Sequence, residues 1–312
     1  MRLGILLAPE TPWDELLDRA RHAAASGWDT IWYADHFMPP AGDLSAPIGE
    51  SWTTLAALAA VVPRIRLGHM VGCNTYRHPA LVAKMAATVD RVSGGRFILG
   101  LGAGWQENEH RAYGIPFGTT AERHRRLAEA CQIVRSLLSK PRTTFHGRYY
   151  QLEDAPLEPK PVRQPLPLLI GAGGAKLGLA IVARYADWWN TGGLPDEIAR
   201  KIAILDRHCA AVGRDPQDIR RTAFALFVPR HDAAADWYGT EMPENRGALP
   251  TIVGDDAAIR EAMRRYRDLG LAELVTADLT LGETHDEKRR GMDRLLSIGA
   301  EFRDGESQGG YA

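Results

Sequence analysis

Three short stretches combine reactive or ligand-holding residue types at informative spacings. "YADHF" (33–37) ends an apolar run with Asp35 and His36. Histidine titrates near neutrality and suits proton transfer. The alternative is that Asp35 caps a loop and His36 is its satisfied polar neighbour. "LIGAGGAKLGL" (169–179) runs from an apolar segment through Gly171, Gly173 and Gly174 toward a helix, with Lys176 expected in its first turn. Bare backbone N–H groups at such a start, the helix dipole and a lysine suit a phosphate; a simple tight turn is the alternative. "RFILGLGAGWQENEH" (96–110) has glycines at 100, 102 and 104.

That last stretch is a poor dinucleotide fingerprint. G-x-G-x-x-G belongs at the first strand–helix turn, and here Trp105 occupies the third glycine position, on the fourth strand. Gly100 and Gly102 either let a flat ligand approach the backbone or serve close packing. Other chemistries fail on motif grounds. No H-E-x-x-H or H-x-H occurs, no G-x-S-x-G sits at a strand–helix turn, the ten histidines do not cluster at ligand spacings, and no lysine ends a strand as a Schiff-base residue would. A phosphate site without a metal or a nucleophile points to a phosphorylated organic cofactor.

The elements that must position these residues alternate strictly. Strands are expected at 2–7, 29–35, 65–71, 96–102, 166–171, 187–192, 222–228 and 272–277. Helices are expected at 13–27, 51–62, 79–92, 120–139, 175–186, 196–213, 255–270 and near 284–299. Eight strand–helix pairs predict a single (β/α)8 TIM barrel over 1–302, with C-terminal strand ends bearing the chemistry. Insertions are expected near 142–167, as a hairpin and a proline-rich loop, and at 229–254, as a long loop; 303–312 is expected to be a disordered tail. The 312 residues are 45% hydrophobic and 25% charged with a net charge of −1, which gives no basic field for nucleic acid. Three cysteines without C-x-x-C spacing and no apolar run of membrane length predict a soluble, cytoplasmic protein. Of the tryptophans, Trp13, Trp32, Trp52, Trp105, Trp188 and Trp189 cannot all be core, and some are expected to shape an apolar pocket.

Segments 33–37, 64–117 and 168–190 resemble the bacterial luciferase-like monooxygenase superfamily, in particular its oxidoreductases that use the deazaflavin coenzyme F420. The resemblance covers nearly the whole chain. It implies a luciferase-like barrel, usually dimeric, with a flavin-type ring in its mouth. It further implies that Asp35 lies near the ring and that His36 transfers the proton. Met70 and Val71 match a strand bulge where a non-prolyl cis peptide props up the ring. Cys73 and Asn74 follow as ring or side-chain contacts, although Cys73 also fits as a plain buried residue. Ala103, Gly104 and Asn108 match positions lining the cofactor, and Gly173, Gly174, Lys176 and Leu177 match its phosphate site. The sugar-phosphate dehydrogenases of the superfamily carry a glutamate proton acceptor at the position of Trp105 and a tryptophan at that of Pro40, so their mechanism does not carry over. Glu107 and Glu109 are expected in a solvated, internally paired loop.

The implied reaction is hydride transfer between F420 and a small organic substrate, with His36 or a water supplying the proton. A separate reductase for F420 or flavin is the implied functional partner, and a second copy the implied structural one. The alternatives are an FMN-dependent monooxygenase fed by such a reductase, a non-catalytic flavin-binding relative, and a nicotinamide-dependent barrel reductase. Loops 37–50, 105–119 and 229–254 are expected to define the substrate.

Overall fold

Side-chain alternation along the strands decides what fills the interior. The computed structural model describes residues 1–40, 42–230, 236–241 and 248–303. Its barrel strands are β1 Arg2–Leu7, β2 Thr30–Tyr33, β3 Arg66–His69, β4 Phe97–Gly102, β5 Leu168–Gly171, β6 Trp188–Gly192, β7 Arg220–Phe224 and β8 Glu273–Ala277. Each pairs in parallel with its neighbour, and β8 pairs with β1 to close the (β/α)8 barrel. One set of alternate residues, Trp32, Ile98, Leu169, Trp188 and Val275, fills the barrel axis, with Leu6, Met70, Val71 and Phe224 packed against it. The other set, including Ile31, Leu67, Leu99, Ile170, Trp189 and Leu274, packs outward on the helices. Each such fully buried aliphatic side chain contributes roughly 1.5–3 kcal/mol.

Toward the start of the strands the axis holds a carboxyl. Glu273 is completely buried and accepts from Trp32 Nε1 at 2.7 Å and Thr30 Oγ1 at 3.2 Å. Burial pushes its pKa up. Position 4 is glycine because a Cβ there would run into this carboxyl.

The helices are α1 Trp13–Ser26, α2 Ser51–Val61, α3 Pro79–Ser93, α4 Glu107–Ala112, α5 Thr120–Ser139, α6 Gly178–Tyr185, α7 Pro195–Ala211, α8 Asp256–Asp268 and α9 His285–Gly299. Local signals set several ends. Pro79 occupies the first turn of α3, and Thr119 and Glu122 form a capping box on α5. Among the described residues no helix is long and apolar enough to cross a membrane.

Four expectations need correction. The segment after Trp105 is not all loop, since it contains α4. The helix expected from 175 begins at Gly178, so Lys176 lies in the turn before it rather than in its first turn. Expected strand 222–228 is broken: β7 ends at Phe224, and Leu226–Pro229 pairs in parallel with Ala248–Gly254. The stretch 229–254 is therefore not a plain loop, because Ala248–Gly254 also pairs antiparallel with Asp236–Glu241. Its remaining parts, 231–235 and 242–247, lie outside the described residues, as do 304–312 of the expected tail. The 142–167 insertion does contain a hairpin, Arg142–His146 with Gln151–Pro156.

Candidate active site

The floor of the barrel mouth is built around Val71. Strand β3 stops at His69, the Met70–Val71 peptide bond is cis, and Gly72–Cys73 then resumes pairing with Leu101–Gly102. The Val71 side chain occupies the space that side chains on β4 and β5 would otherwise need. A Cβ on Gly102 would lie 2.6 Å from Val71 Cγ2, and one on Gly171 would lie 2.9 Å from Cγ1. A Cβ on Gly100 would strike the His69 carbonyl. These glycines thus serve close packing. Gly104 has φ +84°, which favours glycine, and a Cβ there would also crowd Cys73 Sγ at 2.9 Å.

Asp35 follows β2 and is 1% exposed. It accepts from Ser51 Oγ at 2.6 Å, the Cys73 N–H at 2.9 Å, and Arg77 Nη1 and Nη2 at 2.7 and 3.1 Å. Arg77 also donates to Glu50 at 2.6 Å. Burial pushes the Asp35 carboxyl up, but the Arg77 guanidinium, His69 and the hydrogen bonds from Arg77 and Ser51 together outweigh it, and the net shift is downward. Both carboxylate oxygens are thus taken by protein donors.

His36 is partly exposed, and its Nδ1 lies 2.9 Å from Glu109 Oε1. The Trp105 ring stands edge-on to it, with centroids 5.2 Å apart. Glu109, on α4, is fully buried and also accepts from the Phe37 N–H at 2.8 Å and from the Tyr76 hydroxyl. The expected solvated, paired loop is wrong for Glu109, while Glu107 is exposed. Next to it, His110 Nδ1 donates to the Gln106 carbonyl at 2.6 Å. Burial lowers the His110 pKa and favours the neutral ring. Its Nε2 then accepts from Thr75 Oγ1 at 2.6 Å, which leaves Thr75 to accept from Cys73 Sγ at 2.9 Å. Burial pushes the Cys73 thiol up to about 12, so it stays protonated.

Asn74 is buried, and its Nδ2 lies 3.4 Å from the Tyr150 hydroxyl, which the insertion supplies. Ala103 packs against the core, half-buried. Asn108 is directed at the Pro40 carbonyl, 3.3 Å away. Across the mouth, Gly173, Gly174, Lys176 and Leu177 are exposed on the turn before α6, whose start has no side-chain cap. A Cβ on Gly174 would meet nothing within 4 Å, and one on Gly173 would lie 3.7 Å from Lys201 Nζ. Lys201 projects from α7, donating to the Gly192 carbonyl at 2.6 Å. Burial lowers its pKa.

Of the six tryptophans named above, Trp32, Trp52, Trp188 and Trp189 are core, Trp13 is exposed, and Trp105 borders His36. Glu109, Tyr76, Tyr150 and Lys201 join the site without having been singled out as members. Lys201 carries no local signal. Glu109 was visible only as a carboxylate in a polar run.

The sequence model of the luciferase-like monooxygenase family matches residues 1–238. An F420-dependent glucose-6-phosphate dehydrogenase of Microbacterium testaceum is 30% identical over 298 residues, covering 85% of this chain and 87% of its own. Pyrimidine monooxygenase RutA of Methylobacterium radiotolerans is 36% identical over 235 residues, covering 68% of this chain and 59% of its own. Among solved structures, an F420-dependent secondary alcohol dehydrogenase in complex with an F420–acetone adduct shares the fold. Its TM-score is 0.84 over 97% of this chain and 99% of that one, at 20% identity.

Proposed function

Because the chain belongs to the luciferase-like monooxygenase family, we propose that it is an oxidoreductase that uses coenzyme F420 to exchange a hydride with a small organic substrate. The observation that supports this most is the pairing of a Val71 floor with an open glycine turn across the same mouth. The residues fit such a cofactor. Gly173 and Gly174 leave a cradle that a side chain would narrow, and Lys201 brings a cation to its edge. Gly173, Gly174, Lys176 and Leu177 would hold the phosphate, and Met70 and Val71 would support the ring. Cys73, Asn74, Ala103, Gly104 and Asn108 would flank it, and Asp35 would act from behind through the Cys73 N–H.

When bound, F420 supplies the hydride. The chain supplies proximity, a fixed face and a proton-transfer group, His36, whose ring borders Trp105. With Leu6, Met70, Val71 and Phe224 around the top of the barrel axis, the mouth suits a carbonyl or an electron-poor double bond in an apolar molecule. An FMN-dependent monooxygenase served by a separate reductase is the second reading, favoured by the likeness to RutA.

Parallel fluorescence titrations with oxidised F420 and with FMN test the proposal. Tighter F420 binding that Gly173→Asp weakens is the expected result. A preference for FMN selects the second reading, and binding of neither overturns both.

A further inference from the structure

We infer that Glu109 is the positioning residue that fixes His36 as the Nδ1–H tautomer and leaves Nε2 as the nitrogen that exchanges the proton. A carboxylate only accepts hydrogen bonds. Glu109 is completely buried, with Phe37 N–H on Oε2 at 2.8 Å and the Tyr76 hydroxyl on Oε1. His36 Nδ1 also faces Oε1, at 2.9 Å. A lone pair on that nitrogen would oppose a buried, solvent-excluded oxygen, so Nδ1 carries the hydrogen. Nε2 is then the acceptor on the exposed side of the ring.

The carboxylate is held firmly enough to do this. Helix α4 is tied to the segment that follows His36 by Gln106 Nε2 to the Met38 carbonyl at 2.8 Å and Asn108 Nδ2 to the Pro40 carbonyl at 3.3 Å. Just past the helix, the Tyr113 hydroxyl reaches the Phe37 carbonyl at 3.4 Å. The imidazole and its partner therefore share one rigid unit. A glutamine at 109 would place an N–H₂ against one of three donors and break the set.

The functional half of the inference rests on the reading that His36 transfers the proton. In the oxidising direction a substrate hydroxyl proton bonds to the Nε2 lone pair as the hydride leaves for the cofactor. The charge that results on the ring is balanced by Glu109. The reverse step returns the proton.

The test is long-range nitrogen-15 NMR of the histidine rings in the ligand-free protein above neutral pH, with His36 assigned from the spectrum of His36→Gln. Wild type should show a protonated-type Nδ1 and a pyridine-type Nε2 for His36. Glu109→Gln should lose that pattern while the other rings keep theirs, and Tyr76→Phe should retain it. An Nε2–H tautomer or a free-histidine mixture in wild type overturns the inference, as does an unchanged ring in Glu109→Gln. Should Glu109→Gln not fold, wild type and Tyr76→Phe decide. Since no cofactor is present, failure of F420 to bind would sink the proposed function and leave the tautomer result standing.

Discussion

The Asp35 carboxylate accepts a 2.9 Å hydrogen bond from the backbone N–H of Cys73, 38 residues further along the chain. This bond ties the end of β2 to the segment that follows the Met70–Val71 peptide. Arg77 closes the same loop by gripping Asp35 with both terminal nitrogens. The floor of the mouth is thus positioned by an ion pair between buried Asp35, just past β2, and partly buried Arg77, in the loop past Gly72–Cys73.

Asp35→Ala leaves Arg77 beside an empty carboxylate site. Arg77 is only partly buried and keeps its pair with Glu50, so the loss should be below that of a fully buried pair, about 1–3 kcal/mol for donors left without their acceptor. Urea unfolding should show a loss of that order, and a variant within 1 kcal/mol of wild type would refute the hub role. Arg77→Lys should not restore full stability, because lysine lacks the planar fork that engages both oxygens.

Acid sensitivity should trace to His69. It is fully buried between Trp52 and Phe97, and burial lowers its pKa to about 4; Asp35 and Glu50 pull the other way, while Arg77 adds to the lowering. The unfolded chain takes up a proton near pH 6.5, before the folded chain does. Stability is therefore complete above the unfolded pKa and falls as pH drops from about 6.5 toward 4, by roughly 3 kcal/mol. His69→Phe should flatten this limb in denaturation curves measured from neutral pH to pH 4. A limb of the same steepness in the variant would exclude His69 as its source.

Gly102→Ala should disturb the floor, since the new methyl would press on Val71 Cγ2. Overpacking of this kind costs about 1–3 kcal/mol of folding stability, so urea unfolding should show a loss of that size. Adding Val71→Ala should recover part of the fold stability by vacating the space. If Gly102→Ala unfolds at the wild-type urea concentration, the glycine has no packing role.

Lys201→Met removes the cation beside Gly173. Affinity for FMN should drop about 10- to 100-fold, the range for loss of a charge-assisted hydrogen bond. Riboflavin, which lacks the phosphate, should bind equally to both proteins. Calorimetry with the two ligands separates these outcomes, and equal losses for both would remove Lys201 from the phosphate site.

The barrel was legible because its signal is repetitive: eight apolar runs alternate with helix-period segments, and the chemistry falls at strand ends. Glycine meaning was not legible. A sequence shows that Gly100 and Gly102 lack side chains but not whether a ligand or Val71 takes the space. Glu109 was misjudged because α4 spans only six residues, too few for a periodic pattern to show which side is buried. Lys201 reaches Gly173 from α7, beyond α6 and β6, so no local spacing connects them. The pairing of Leu226–Pro229 with Ala248–Gly254 was hidden because strand partners across a long intervening stretch share no local mark.

The filled barrel axis has a kinetic consequence. Trp32, Ile98, Leu169, Trp188 and Val275 fill it below Val71, so among the described residues nothing can pass through the axis and the mouth is approached from above. A ring seated on Val71 would occupy the deepest position, with the substrate above it. Turnover would then be ordered, with cofactor first on and last off, and excess substrate arriving ahead of the cofactor would inhibit by blocking the mouth.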